Sequence, residues 1–198
     1  MLISITGPSG VGKGYIKDAI LKNHPSIVEI PWVTTRPQRA NERNTGNRVS
    51  LSKSEFLTLR DNGQLMLAQT LFGHHYGVRT TDWSQNQSVM LTELHIDNLL
   101  YLKQVNKLPK IRIAILPSDM NFLRRRLERY RNSEGKEEIE ERLRQAVIEN
   151  QQVLNQPSLF SKMFTVSFSN EGQLGFQVLN YISPFLTERS LGHEKTSN

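Results

Sequence analysis

The 198-residue chain contains no cysteine. Disulfides and thiolate metal sites are therefore excluded. No apolar run approaches the ~18 residues that a membrane span needs. Nor does a basic segment precede a long apolar one, as it would in a secretory leader. Repeats and low-complexity segments are also lacking. These absences predict a cytoplasmic protein. With 37% hydrophobic and 22% charged residues, the chain is globular but rather polar, and its length suits one domain with a real core.

What is present is concentrated at residues 2–15. Leu2 to Ile5 is a short apolar, β-branched run with the makings of a buried strand. Gly7-Pro8-Ser9-Gly10-Val11-Gly12-Lys13 follows with the spacing of a phosphate-binding loop, and Tyr15 to Lys22 reads as a helix. Strand, glycine loop and helix are the context that motif requires. The glycines let backbone N–H groups turn inward around a polyphosphate, and the helix N-terminus adds positive potential. Gly14 stands where many such loops have Ser or Thr, and Tyr15 follows it.

The net charge of +6 fits either nucleic acid or small polyphosphates. The arginines favour the second, since Arg36/Arg39/Arg43/Arg48 and Arg124 to Arg144 form two clusters rather than a continuous basic stripe. Further along, strands are expected at 26–30, 65–71, 88–94, 111–116 and 164–168. Helices are expected at 52–62, 96–106, 121–131, 137–154 and 175–186. Ser52 and Glu55 have capping-box spacing. Residues 34–50 read as a long polar loop of the kind that tends to be functional, and Phe72 to Gly77 as a turn. Strands alternating with helices argue for a parallel α/β sheet with an insertion between the second and third core strands. The tail after Arg189 is expected to fray. His74 and His75 point apart on an extended segment and read as polar loop residues rather than a metal pair. Asp82-Trp83 reads as the start of a helix.

Residues 7–14, Thr34-Thr35-Arg36-Pro37-Gln38-Arg39 with Glu42 and Gly46, Gly73-His74-His75-Tyr76-Gly77, and Arg126-Leu127 through Arg142-Leu143 resemble, in order and spacing, the guanylate kinase family of P-loop nucleoside-monophosphate kinases. The resemblance implies a P-loop NTPase core with a mostly parallel sheet flanked by helices. It divides residues 1–190 into a core (1–31 and 88–190), an acceptor-binding insertion (32–87) and a lid (129–138), with a flexible tail at 191–198. It implies ATP bound by Gly7, Pro8, Ser9, Gly10, Val11, Gly12, Lys13, Gly14 and Tyr15. Lys13, Arg131 (or Arg129) and Arg142 would surround the transferring phosphoryl group. Arg36, Arg39, Tyr76 and Glu93 would bind the acceptor. Magnesium would be held by nucleotide phosphates and water, with no protein metal site. Nucleic acid and membrane are not expected partners, and the oligomeric state is left open. Read structurally instead, Arg129, Arg131 and Arg142 belong to a solvated helix face paired with Glu128, Glu137, Glu138 and Glu141.

The sequence departs from the family at the acceptor base. Trp32, Val49, Leu67 and Val78 stand where the family has a serine, a tyrosine, a glutamate and a Ser/Thr. Tyr15 replaces a small hydroxyl residue that reaches the α-phosphate. The acceptor pattern, with segments similar to ribose 1,5-bisphosphate phosphokinases, gives that sugar phosphate as the expected acceptor ahead of GMP. The alternative from another class is a catalytically silent kinase-like binding module, although such modules typically lose the loop lysine that is present here.

Overall fold

The computed structural model describes residues 1–38, 48–83, 89–131 and 135–192, with side chains to residue 187. In chain order the elements are β1 (Leu2–Thr6), α1 (Lys13–Asn23), β2 (Ile27–Glu29), β3 (Trp32–Thr34), β4 (Arg48–Ser50) and α2 (Lys53–Asp61). Next come β5 (Leu65–Leu71), β6 (His74–Arg79), α3 (Thr80–Trp83), β7 (Val89–Glu93), α4 (Ile96–Gln104) and β8 (Ile111–Pro117). The chain continues with α5 (Met120–Tyr130), α6 (Lys136–Asn155), a 3-10 turn (Pro157–Leu159), β9 (Lys162–Val166) and α7 (Leu174–Gly192). Five strands form one sheet in the order β2-β7-β1-β8-β9, and four form another in the order β4-β3-β6-β5. No helix among the described residues is long and apolar enough to cross a membrane.

The chain divides into two compact units: Met1–Ile3 with Ser26–Thr92, and Ser4–Pro25 with Glu93–Asn198. In the first, β2 runs parallel to β7, with Ile27 opposite Val89. β3 pairs parallel with β4 and antiparallel with β6, which also pairs antiparallel with β5. The expected turn at 72–77 is shorter than its composition implied. Phe72 (φ 50°) and Gly73 (φ 74°) alone reverse the chain, the two positive φ values that a tight hairpin needs, and His74 onward is strand. The segment read as a polar loop carries β3 and β4 at its ends. Ser52 and Glu55 do form a capping box at α2.

In the second unit, β8 pairs parallel with β9. Ile113, Ala114 and Ile115 on β8 are wholly buried, so both of its faces are covered, as in a central parallel strand. Along Ser4–Thr6 every residue is buried, including the polar Ser4 and Thr6. Packing on both sides leaves these strands little room to move, and the loops at their ends inherit that rigidity.

Candidate active site

The loop after β1 is shaped by three glycines with left-handed φ: Gly7 (150°), Gly10 (88°) and Gly12 (109°). At Gly7 glycine is also sterically required, and at Gly10 an added Cβ would press on a side-chain tip. A Cβ on Gly7 would lie 2.1 Å from the Ile115 carbonyl oxygen, and one on Gly10 would lie 2.6 Å from Leu127 Cδ2. The loop is thus pressed against β8 and α5, and at β8 only glycine permits that approach. Lys13 Nζ donates to the carbonyls of Gly7 (2.6 Å) and Pro8 (3.1 Å), which holds the ammonium over the loop.

The N-terminus of α1 lacks the side-chain cap that three other helices carry. α2 is capped by Ser52, α4 by His95 and α5 by Asp119. Phe122 N–H, with help from the Ser118 hydroxyl, holds the Asp119 carboxyl below the ordinary Asp range. Gly12 caps α1 with no side chain, and no acid lies in its first turn. The first-turn N–H groups lack intrahelical acceptors and carry the positive end of the helix dipole. With Lys13 beside them, they give this helix end the positive character that suits an anion.

Two arginines from the C-terminal helices reach this loop. Arg142 Nη1 on α6 lies 3.2 Å from Ser9 Oγ, so Arg142 is drawn to the loop rather than spent on a solvated face. Arg126 on α5 donates through Nε to the Gly10 carbonyl (3.0 Å), pairs through Nη1 with Glu171, and stacks over the Tyr130 ring at 5.1 Å. Arg131 is the half-buried C-cap of α5. Arg129 is exposed, with its guanidinium over Tyr130. On α6, Arg144 pairs with Glu141.

Gly14 has no hydroxyl, and among the described residues no three His, Cys, Asp or Glu side chains are grouped to hold a metal. The residues suit a magnesium ion carried by nucleotide phosphates and water, a mode this ion favours.

In the first unit Arg36 is buried, only 6% exposed. Its N–H donates to Thr34 Oγ1 (3.1 Å), its Nη1 to the Pro37 carbonyl (2.9 Å), and its own carbonyl accepts from Ser50 Oγ (3.4 Å). Thr34 and Thr35 are laced to β6: Thr34 Oγ1 donates to the His75 carbonyl, and His75 N–H donates to Thr35 Oγ1, each at 2.9 Å. The same lacing sets Tyr76 opposite Thr34 in the strand register. Phe56 stacks on the His75 ring (5.3 Å), whose Nδ1 meets Thr70 Oγ1 at 2.9 Å. Arg39 lies outside the described residues. Glu93, in the second unit, pairs with Lys17 at 3.1 Å.

A family model described as guanylate kinase matches residues 1–165. The chain belongs to the guanylate kinase family. Among its relatives, a guanylate kinase of Nostoc sp. is 35% identical over 148 residues, covering 73% of each chain. One of Wolbachia sp. subsp. Brugia malayi is 32% identical over 149 residues, covering 74% of this chain and 76% of that one. The crystal structure of guanylate kinase from Anaplasma phagocytophilum superposes with a TM-score of 0.67 at 20% identity, covering 93% of this chain and 84% of that one. That likeness establishes the P-loop kinase fold of this family member.

These relatives correct the expectation of ribose 1,5-bisphosphate as acceptor, since they carry the guanylate kinase name at 30–35% identity. The physical reason lies in the residues that prompted it. Trp32 is buried with its Nε1 donating to Thr92 Oγ1 (3.0 Å), and Leu67 and Val78 are likewise buried. Residues that serve as core cannot be read as a re-purposed sugar site. Arg126 and Lys17 were not assigned roles from sequence. Their partners, Glu171 and Glu93, lie far away along the chain, and no local spacing signals them.

Proposed function

We propose that this family member is an ATP-dependent kinase that moves the γ-phosphate of ATP onto the phosphate of GMP. The observation that carries the reading is the uncapped N-terminus of α1, with Lys13 held over it and Arg142 brought to Ser9. The backbone N–H groups and Lys13 would grip the donor polyphosphate. Arg142 and Arg131 would neutralise charge that builds on the transferring group, which is most of what phosphoryl transfer demands of a protein. Magnesium, when bound with the nucleotide, would neutralise β- and γ-phosphate oxygens.

Arg36, fixed through Thr34 and Pro37, presents a guanidinium suited to forked hydrogen bonding with the acceptor phosphate; Arg39 and Tyr76 complete that role in this reading. An acceptor phosphate oxygen attacks the γ-phosphorus as the bond to the bridging oxygen breaks and ADP leaves. The acceptor is already largely ionised at neutral pH, so no general base is required of the chain. In the same reading, residues 32–87 form the acceptor insertion and 129–138 the lid.

The test is ADP release by the full chain with ATP and each nucleoside monophosphate in turn. GMP is expected to support turnover at least about tenfold faster than AMP, CMP or UMP, the contrast that a single base contact of ~1.4 kcal/mol provides. Failure of GMP to stimulate ADP release, or turnover with another monophosphate as fast as with GMP, would overturn the reading.

A further inference from the structure

Tyr15 is the aromatic residue of the first turn of α1. Its ring lies against α7: a Cβ built on Gly175 would stand 3.3 Å from Tyr15 Cε1 and 3.8 Å from Cζ. The absence of a side chain at Gly175 is what lets the ring settle there. The residue is nevertheless 56% exposed, so the contact with α7 leaves much of the side chain open. α1 and α7 each follow a strand of the parallel sheet, so their N-terminal ends meet at the carboxyl ends of those strands, the side where α/β sheets take their ligands.

The loop and the first turn of α1 cradle the α- and β-phosphates of a bound nucleotide, with Lys13 on the β- and γ-phosphates. The nucleoside must therefore leave the cradle from the α-phosphate, beside the first turn. An exposed tyrosine held at that point by a glycine offers a flat apolar surface to a sugar or base. Its own hydroxyl is carried too far out on the ring to stand in for a short side-chain hydroxyl on the α-phosphate.

We propose that Tyr15, seated on Gly175, is a donor-specificity residue whose ring packs against the nucleoside of the donor. The inference rests on the donor-loop reading above. The ring compensates by contact area for the small hydroxyl that the sequence lacks at this position.

Calorimetric binding of ATP and of inorganic tripolyphosphate to the full chain separates nucleoside from phosphate contacts. Tyr15→Ala, which removes the ring without adding a hydroxyl, is expected to weaken ATP roughly 5- to 150-fold, the range of a lost aromatic stack, and to shift tripolyphosphate less than about twofold. Tyr15→Phe should restore ATP binding, and Gly175→Val, which displaces the ring without removing it, should weaken ATP alone. Equal weakening of both ligands, no weakening of either, or failure of Tyr15→Phe to rescue would overturn the proposal while leaving the donor loop intact. A wild-type chain that binds neither ligand would overturn both.

Discussion

Gly7 and Gly14 bracket the donor loop and should respond oppositely to the same change. At Gly7 the backbone has φ 150°, a region open essentially to glycine, and an added Cβ would sit 2.1 Å from the Ile115 carbonyl oxygen. An ordinary carbon–oxygen contact is about 3.3 Å, so loop or strand must yield by roughly 1.2 Å. β8 is buried on both faces and paired with β9, so the loop is what moves. The backbone term is about 1–3 kcal/mol and the overpacking term about the same. Gly7→Ala should therefore destabilise by roughly 2–6 kcal/mol, a drop of about 4–24 °C in Tm for a chain of this size. A loop displaced by about 1 Å should also lose on the order of 100-fold in ATP affinity or turnover. At Gly14 a Cβ meets nothing within 4 Å, and the position is helical. Gly14→Ala should raise stability by about 0.5–1 kcal/mol. Thermal unfolding of both variants, with ATP titration of Gly7→Ala, checks this. A Gly7→Ala protein with wild-type Tm and affinity, or a Gly14→Ala protein as damaged as Gly7→Ala, would refute the loop geometry.

Other consequences follow from the second unit. His95 caps α4 through Nδ1 and directs Nε2 toward the buried carboxylate of Glu149, 3.9 Å away. His95→Ala should cost about 0.5–2 kcal/mol from the lost cap. His95→Asn, which keeps a capping acceptor, should recover much of that loss, and chemical denaturation curves showing no recovery would contradict the capping role. The Asp119 carboxyl is held below its ordinary range by Phe122 N–H and Ser118, so its folded pKa is lower than its unfolded one. Its stabilising contribution is complete above the ordinary Asp value near 3.9 and disappears as pH falls through the lower folded value. Asp119→Asn keeps a cap but should flatten the acid limb of a stability–pH curve; an unchanged limb would remove Asp119 from the account.

The readable parts of this molecule were local. β1, the glycine loop and α1 follow one another along the chain, and each carries its own signal in periodicity or spacing. The Ser52–Glu55 capping box is similar. β3 and β4 were hidden because three-residue strands are too short to show alternation. β6 was hidden because His74, His75 and Tyr76 resemble loop composition, while the reversal is confined to Phe72 and Gly73. Contacts such as Arg126 with Glu171, Lys17 with Glu93 and His95 with Glu149 join residues that only the fold brings together. Trp32, Leu67 and Val78 misled for a related reason. An apolar residue at a position where relatives are polar reads as a changed ligand, yet here these residues fill the interior of the first unit.

In the proposed reaction, Lys13 and the uncapped end of α1 hold a phosphate that is handed to GMP. Incubating the full chain with γ-phosphate-labelled ATP and GMP, and following the label, tests it most directly. Wild-type protein should place the label on GDP. Lys13→Met, with a Tm close to wild type, should slow that transfer by at least about 100-fold, the scale of losing one charge-stabilising group. Label transfer to GDP at the wild-type rate by the Lys13→Met protein, or none by the wild type, would contradict it.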